Sequence, residues 1–179
     1  MKLKRFQFNL WQQAYLLPCT MLVILLLGLL QLTNASSRSV NVRIERWLAV
    51  RQNWGQVTYH QQNRSRPAQP NDRLQAVGDG VMTGKQSGAM LEVDTGVGFI
   101  HVSENTQVRV RSLGVATDNG RITVLDVPYG QVRLQLRRFT HPGSRLQIRT
   151  PAGVSAVRGT VFGISVQPNG KTGLATQSG

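Results

Sequence analysis

Arg145 to Val166, RLQIRTPAGVSAVRGTVFGISV, decides how the chain is read. It divides into three short extended segments joined by glycines. In the first, Leu146, Ile148 and Thr150 alternate with Arg145, Gln147 and Arg149, one apolar and one polar face at the two-residue period of a strand. In the last, Thr160, Phe162, Ile164 and Val166 repeat the pattern against Val161, Gly163 and Ser165. Pro151 fixes its own φ and biases Thr150 away from helix, while Gly153 and Gly159 permit bends or close backbone approach. These features predict β architecture.

The same grammar runs outward in both directions. Upstream, Leu48 and Val50 alternate, Asn53-Trp54-Gly55 reads as a turn, and Val57 and Tyr59 alternate in return, which predicts a hairpin. Residues Ile44, Trp47, Leu48 and Arg51 equally fit one helical turn, and the sequence does not separate the two readings. Gln61 to Pro70 reads as a polar loop with two prolines. Gly78-Asp79-Gly80 is strong turn chemistry, because the aspartate bonds nearby backbone amides and glycine accepts positive φ. Further strands are predicted around Val81–Thr83, Ala89–Val93, Val97–Val102, Val108–Val110, Ile122–Val127 and Val132–Leu136. Lys171 to Gly179 opens another, which implies an incomplete sheet edge or a truncated domain. The expectation is an all-β domain of about ten short strands, a compact sandwich or a solenoid-like unit. No exact internal repeat establishes a regular solenoid.

The N-terminus predicts topology. Met1-Lys2-Leu3-Lys4-Arg5 is a basic start, Met21 to Leu30 is densely apolar, and Thr33-Asn34-Ala35-Ser36-Ser37 is small and polar, the order of a secretory signal peptide. Cleavage after Ala35 is the preferred reading. An uncleaved hydrophobic helix is the alternative, since Leu10 to Leu32 is long enough to span a bilayer. The division is therefore 1–35 signal peptide or membrane anchor, 36–46 polar linker and 47–179 β domain, exported to the periplasm or cell envelope. Cys19, the single cysteine, precedes the apolar run and so is not a lipid-attachment site. A cleaved product has no disulfide and no thiolate chemistry.

T-P-x-(A/G)-x-x-x-x-V-R-G-T-x-F, carried here by Thr150, Pro151, Val157, Arg158, Gly159, Thr160 and Phe162, resembles the motif of the FecR domain, a bacterial envelope module. Upstream features follow that family's order: Gly55 and Val57, the Asn71-Asp72 and Gly78-Asp79 turns, Thr83-Gly84, the Leu91-to-Asp94 strand and turn, Asn105-Thr106 and Gly130-Gln131-Val132. The resemblance covers about residue 48 onward. It implies an all-β periplasmic unit that receives a signal by protein contact. In the best-known members that signal passes through a membrane helix to a cytoplasmic sigma-factor regulator. Only about twenty residues precede the apolar run here, too few to bury a core. The resemblance therefore implies the module without that regulator.

Catalytic, metal and cofactor sites are not expected. His60, His101 and His141 are scattered without metal-ligand spacing. Glu92 and Asp94 share one strand face and read as solvated, and Asp72, Asp79 and Asp94 fall in ordinary turns rather than a calcium loop. Charge is the stronger clue. The formal net charge is +13, carried by 17 Arg against 4 Lys, which points to polyanionic surroundings. Arg109, Arg111, Arg133 and Arg137 occupy the polar faces of two strands, so neighbours across one sheet would form a docking face for an acidic protein or cell-wall glycan. The export signal and the few aromatics oppose nucleic acid as the partner. Arg158, between Val157 and Gly159, is expected to be partly buried and bonded to backbone carbonyls.

Overall fold

The computed structural model describes residues 46–159 and 161–177, and all regular structure among them is strand. Residues 1–45 fall outside it, and with them the signal or anchor segment and most of the linker. Thr160 of the family-like motif is outside as well.

Fourteen strands form two seven-stranded sheets. The first half of the domain supplies β1 (Leu48–Trp54), β2 (Val57–Gln61), β3 (Arg64–Pro67), β4 (Arg73–Leu74), β5 (Gly80–Thr83), β6 (Gly88–Val93), β7 (Gly98–Val102) and β8 (Gln107–Val115). The second half supplies β9 (Arg121–Asp126), β10 (Gly130–Leu136), β11 (Arg145–Thr150), β12 (Gly153–Val157), β13 (Val161–Val166) and β14 (Thr172–Gln177). The first sheet runs β14-β13-β10-β7-β6-β1-β4 and the second β12-β11-β9-β8-β5-β2-β3. Every pairing is antiparallel except β9 with β11. In both sheets the earlier strands sit together and the later strands add to one side, meeting at β7 with β10 and at β8 with β9. Two seven-stranded sheets share one core, so the arrangement is sandwich-like.

The inward residues of both sheets make one core, as two-residue alternation requires. Leu48, Leu91, Ile100, Leu134 and Ile164 come from the first sheet, and Val81, Val108, Leu125, Leu146 and Ile148 from the second; all are buried. Phe162 joins them from β13. Thr83 is buried at its edge, where its Oγ1 donates to Ser103 O at 2.5 Å and accepts from Thr106 N at 3.0 Å. Thr106 Oγ1 in turn accepts from Gln131 N at 2.9 Å, so two threonines tie three connections together.

Three sequence expectations change. The predicted hairpin of β1 and β2 is a corner instead: β1 pairs with β6 and β4 in the first sheet, and β2 with β5 and β3 in the second. Gly55, at φ +70, makes the crossing, and Gln56 N donates to Ser87 Oγ at 2.8 Å. The polar loop Gln61–Pro70 contains β3, an edge strand whose four residues are all exposed and so carry no apolar alternation. The helical-turn reading near Trp47 gives way to strand from Leu48 onward. The Gly-Asp-Gly turn forms as expected. Gly78 has φ +93, and Asp79 Oδ2 accepts from Gln75 N and Ala76 N, each at 2.9 Å.

Candidate functional site

The four arginines singled out by sequence do not share a surface. Arg109 and Arg111 lie on β8 of the second sheet, and Arg133 on β10 of the first, with Arg137 just beyond its end. Strands that alternate alike need not be neighbours. Here β10 leaves the second sheet after β9 and inserts between β7 and β13. Arg133 instead stands opposite His101, which is half-buried with Nε2 3.3 Å from Gln135 Oε1.

What joins Arg109 and Arg111 is Arg149. β11 runs parallel to β9, which sets Arg149 opposite Asp126, and β8 sets Arg109 opposite the same residue from the other side. The β8–β9 register shifts between Val110 and Ser112, so Arg111 occupies the irregular position and swings toward the carboxylate. Arg111 Nη1 and Arg149 Nε lie 3.5 and 3.7 Å from the two Asp126 oxygens. Two guanidiniums thus flank one carboxylate on a half-open face, and Arg109, opposite Asp126 in register, adds a third positive charge to the same face. The four residues line a shallow recess of about 320 Å³ together with Pro128, Thr150 and Pro151. Thr150 and Pro151 of the family-like motif therefore border the arginine face itself. Farther along the row, Arg109 lies over Gly80 and faces His60. Burial, with the Arg109 charge second, lowers the His60 pKa. The imidazole is neutral near pH 7 and the charge of the face belongs to its guanidiniums.

Gly159, at φ +114, brings its backbone against Arg138, where a Cβ would overlap the Arg138 Cα. The Arg158 side chain is exposed rather than partly buried, at the end of an edge strand. Its Nη2 does donate to a backbone carbonyl, that of Pro142.

Glu92 and Asp94, expected to be solvated, are buried. Each is covered by an arginine from the start of the domain. Arg51, at the irregular position of β1, donates to Glu92, which also accepts from Gly96 N at 2.9 Å. Arg46, assigned by sequence to the linker, is itself buried. Its Nη2 donates to Asp94 Oδ2 at 2.8 Å and to Thr123 Oγ1 at 2.7 Å, and its Nη1 to the carbonyls of Gly114 and Ile122 at 2.8 and 2.7 Å. Asp94 follows β6 in one sheet while Gly114 and Ile122 belong to the other, so this one side chain bridges the two layers.

The Gly96 amide lowers the Glu92 pKa, burial opposes it, and Arg51 adds to the lowering. Asp72 behaves similarly: burial alone would raise its pKa, but the Arg66 fork and the Gln69 amide outweigh it. A depressed folded pKa gives stability that is present above the unfolded value, about 4 for a carboxyl, and is lost as pH falls through the folded value. Glu92→Gln is accordingly expected to flatten the acid limb of the unfolding midpoint plotted from pH 6 to pH 2. An unchanged slope would show that Glu92 carries no share of it.

Sequence reading missed Arg149, Asp126 and Arg46. Arg149 was visible as the polar face of its strand beside Thr150-Pro151, but its neighbour depends on a parallel pairing that no local pattern encodes. Arg46 had no local signal beyond its position just ahead of the first strand. Among the described residues, His, Asp and Glu do not gather in groups of three or more that could hold a metal. Compared with known proteins, the chain matches no family model, no curated protein and no solved structure.

Proposed function

We propose that the chain is a non-catalytic interaction module of the bacterial envelope, of the FecR type, exported behind its N-terminal hydrophobic segment. It meets an acidic protein partner through Arg109, Arg111 and Arg149. The observation that carries this reading is that Arg111 and Arg149 share a single Asp126 while Arg109 lines the same recess, which the Thr150-Pro151 pair borders. A planar guanidinium fork suits carboxylates, and its exposure makes the contact salt-sensitive. Acidic cell-wall glycan offers the same charge and is the alternative partner.

Binding of the full chain to a polyglutamate peptide and to isolated wall material, at low and high salt, tests the reading. The triple change Arg109→Glu, Arg111→Glu, Arg149→Glu is expected to weaken binding at low salt at least tenfold. Arg133→Glu with Arg137→Glu, on the other sheet, should change it less than about twofold. Arg111 and Arg149 are close to half exposed and Arg109 is exposed, and exposed pairs contribute only about 0–1 kcal/mol each, so the unfolding midpoint should move little. Binding that survives the triple change would reduce the face to a solvated surface. Binding to wall material alone would replace the protein partner with glycan.

A further inference from the structure

Among the described residues the two sheets end in four edge strands, and these are not equivalent. At one flank the edges are β3 and β4. β3 is Arg64-Ser65-Arg66-Pro67, guarded by two charges and a proline, and β4 is only two residues long with Arg73 stacked over Trp47 at 4.5 Å. Charge, proline and brevity are the usual devices that stop an edge from recruiting another strand. At the opposite flank the edges are β12, Gly153-Val154-Ser155-Ala156-Val157, and β14, Thr172-Gly173-Leu174-Ala175-Thr176-Gln177. Neither contains a charge or a proline. They lie on the same side of the molecule, because Thr172 Oγ1 at the start of β14 is 3.2 Å from Thr150 Oγ1 at the turn into β12. Of the large apolar side chains left exposed, Val154 and Leu174 stand on these strands at 58% and 57%.

We infer that this flank is the contact surface for a second copy of the chain, joined edge to edge about a two-fold axis. The molecule already uses this kind of join internally, where later strands add to earlier ones through both sheets at β7–β10 and β8–β9. A two-fold axis sets each uncharged strand antiparallel to its own copy. No like charges then oppose one another within the strands, despite the net charge of +13. A second copy supplies main-chain partners for β14 and cover for Leu174 and Val154 at once. This inference does not depend on the arginine face, which lies on the outer surface of the second sheet.

The test is a single-cysteine scan of the purified full chain in detergent, in a Cys19→Ser background, with oxidation to drive self-crosslinking. Cysteines replace residues 172 to 176 in turn, and Ser65→Cys on β3 sets the level of random encounter. Crosslinking is expected to peak at one position or adjacent pair on β14, at least tenfold above the Ser65→Cys level. Adding Leu174→Lys and Val154→Lys should lower the Ala175→Cys crosslink about tenfold. If the lysine pair shifts the unfolding midpoint, the scan alone decides. A flat scan at the Ser65→Cys level, or a crosslink indifferent to lysines that leave the midpoint unmoved, overturns the inference.

Discussion

Asp94→Ala is expected to destabilise the fold by about 3–5 kcal/mol, the cost of removing one partner from a buried ion pair. The Arg46 guanidinium would stay in place, about 5% exposed, with its contacts to Thr123 and to the carbonyls of Gly114 and Ile122 but without a counter-charge. Arg121, whose Nη1 is 3.7 Å from Asp94, is a second cation and loses the same partner. Replacing both members, Arg46→Met with Asp94→Leu, should recover a large part of the loss, because the pair has itself been desolvated. Urea unfolding followed by tryptophan fluorescence measures this, with Trp47 adjoining Arg46 as the local probe. A loss under about 1 kcal/mol, the range of an exposed pair, would mean that water reaches the site.

The second large effect separates two properties of glycine usually confounded. Gly130 has φ +98, and a Cβ there would overlap Thr106 at its Cα, Cβ and Oγ1. Thr106 cannot yield, since it is fully buried and held by Thr83 and Gln131. Gly130→Ala is therefore expected to cost about 3–5 kcal/mol, backbone strain and overpacking together. Gly78 has a nearly identical φ of +93 with nothing within 4 Å of the added Cβ. Gly78→Ala should cost only about 1–2 kcal/mol, from strain alone. Equal losses at the two sites would show that the Thr106 contact is not limiting.

Most of this fold could be read from the chain itself because two-residue alternation is local. Leu146 and Ile148, or Val132 and Leu134, reveal their inward face without any knowledge of partners. Turn chemistry is local too, so Gly78-Asp79 and Gly55 stood out in sequence. The failures occur where the answer depends on who lies alongside. Arg64–Pro67 reads as a loop because a guarded edge strand buries nothing. β1 and β2 looked like a hairpin because a corner between sheets uses the same glycine as a tight turn. Glu92 and Asp94 looked solvated because the arginines that cover them are 41 and 48 residues away. The arginine face suffered from the same blindness: Arg109 and Arg133 have equivalent local patterns, and only the insertion of β10 into the first sheet puts them on separate surfaces.

The meeting of early and late strands at one place in both sheets bears on how a nascent chain can mature. By Val115 all eight strands that form four-on-four layers have been made, a unit able to collapse before synthesis reaches β9. It then serves as a template, with β7 waiting for β10 while β8 turns back on itself through β9. The last six strands have no such unit of their own, so their contribution to the refolding barrier should be small and their loss should speed unfolding instead.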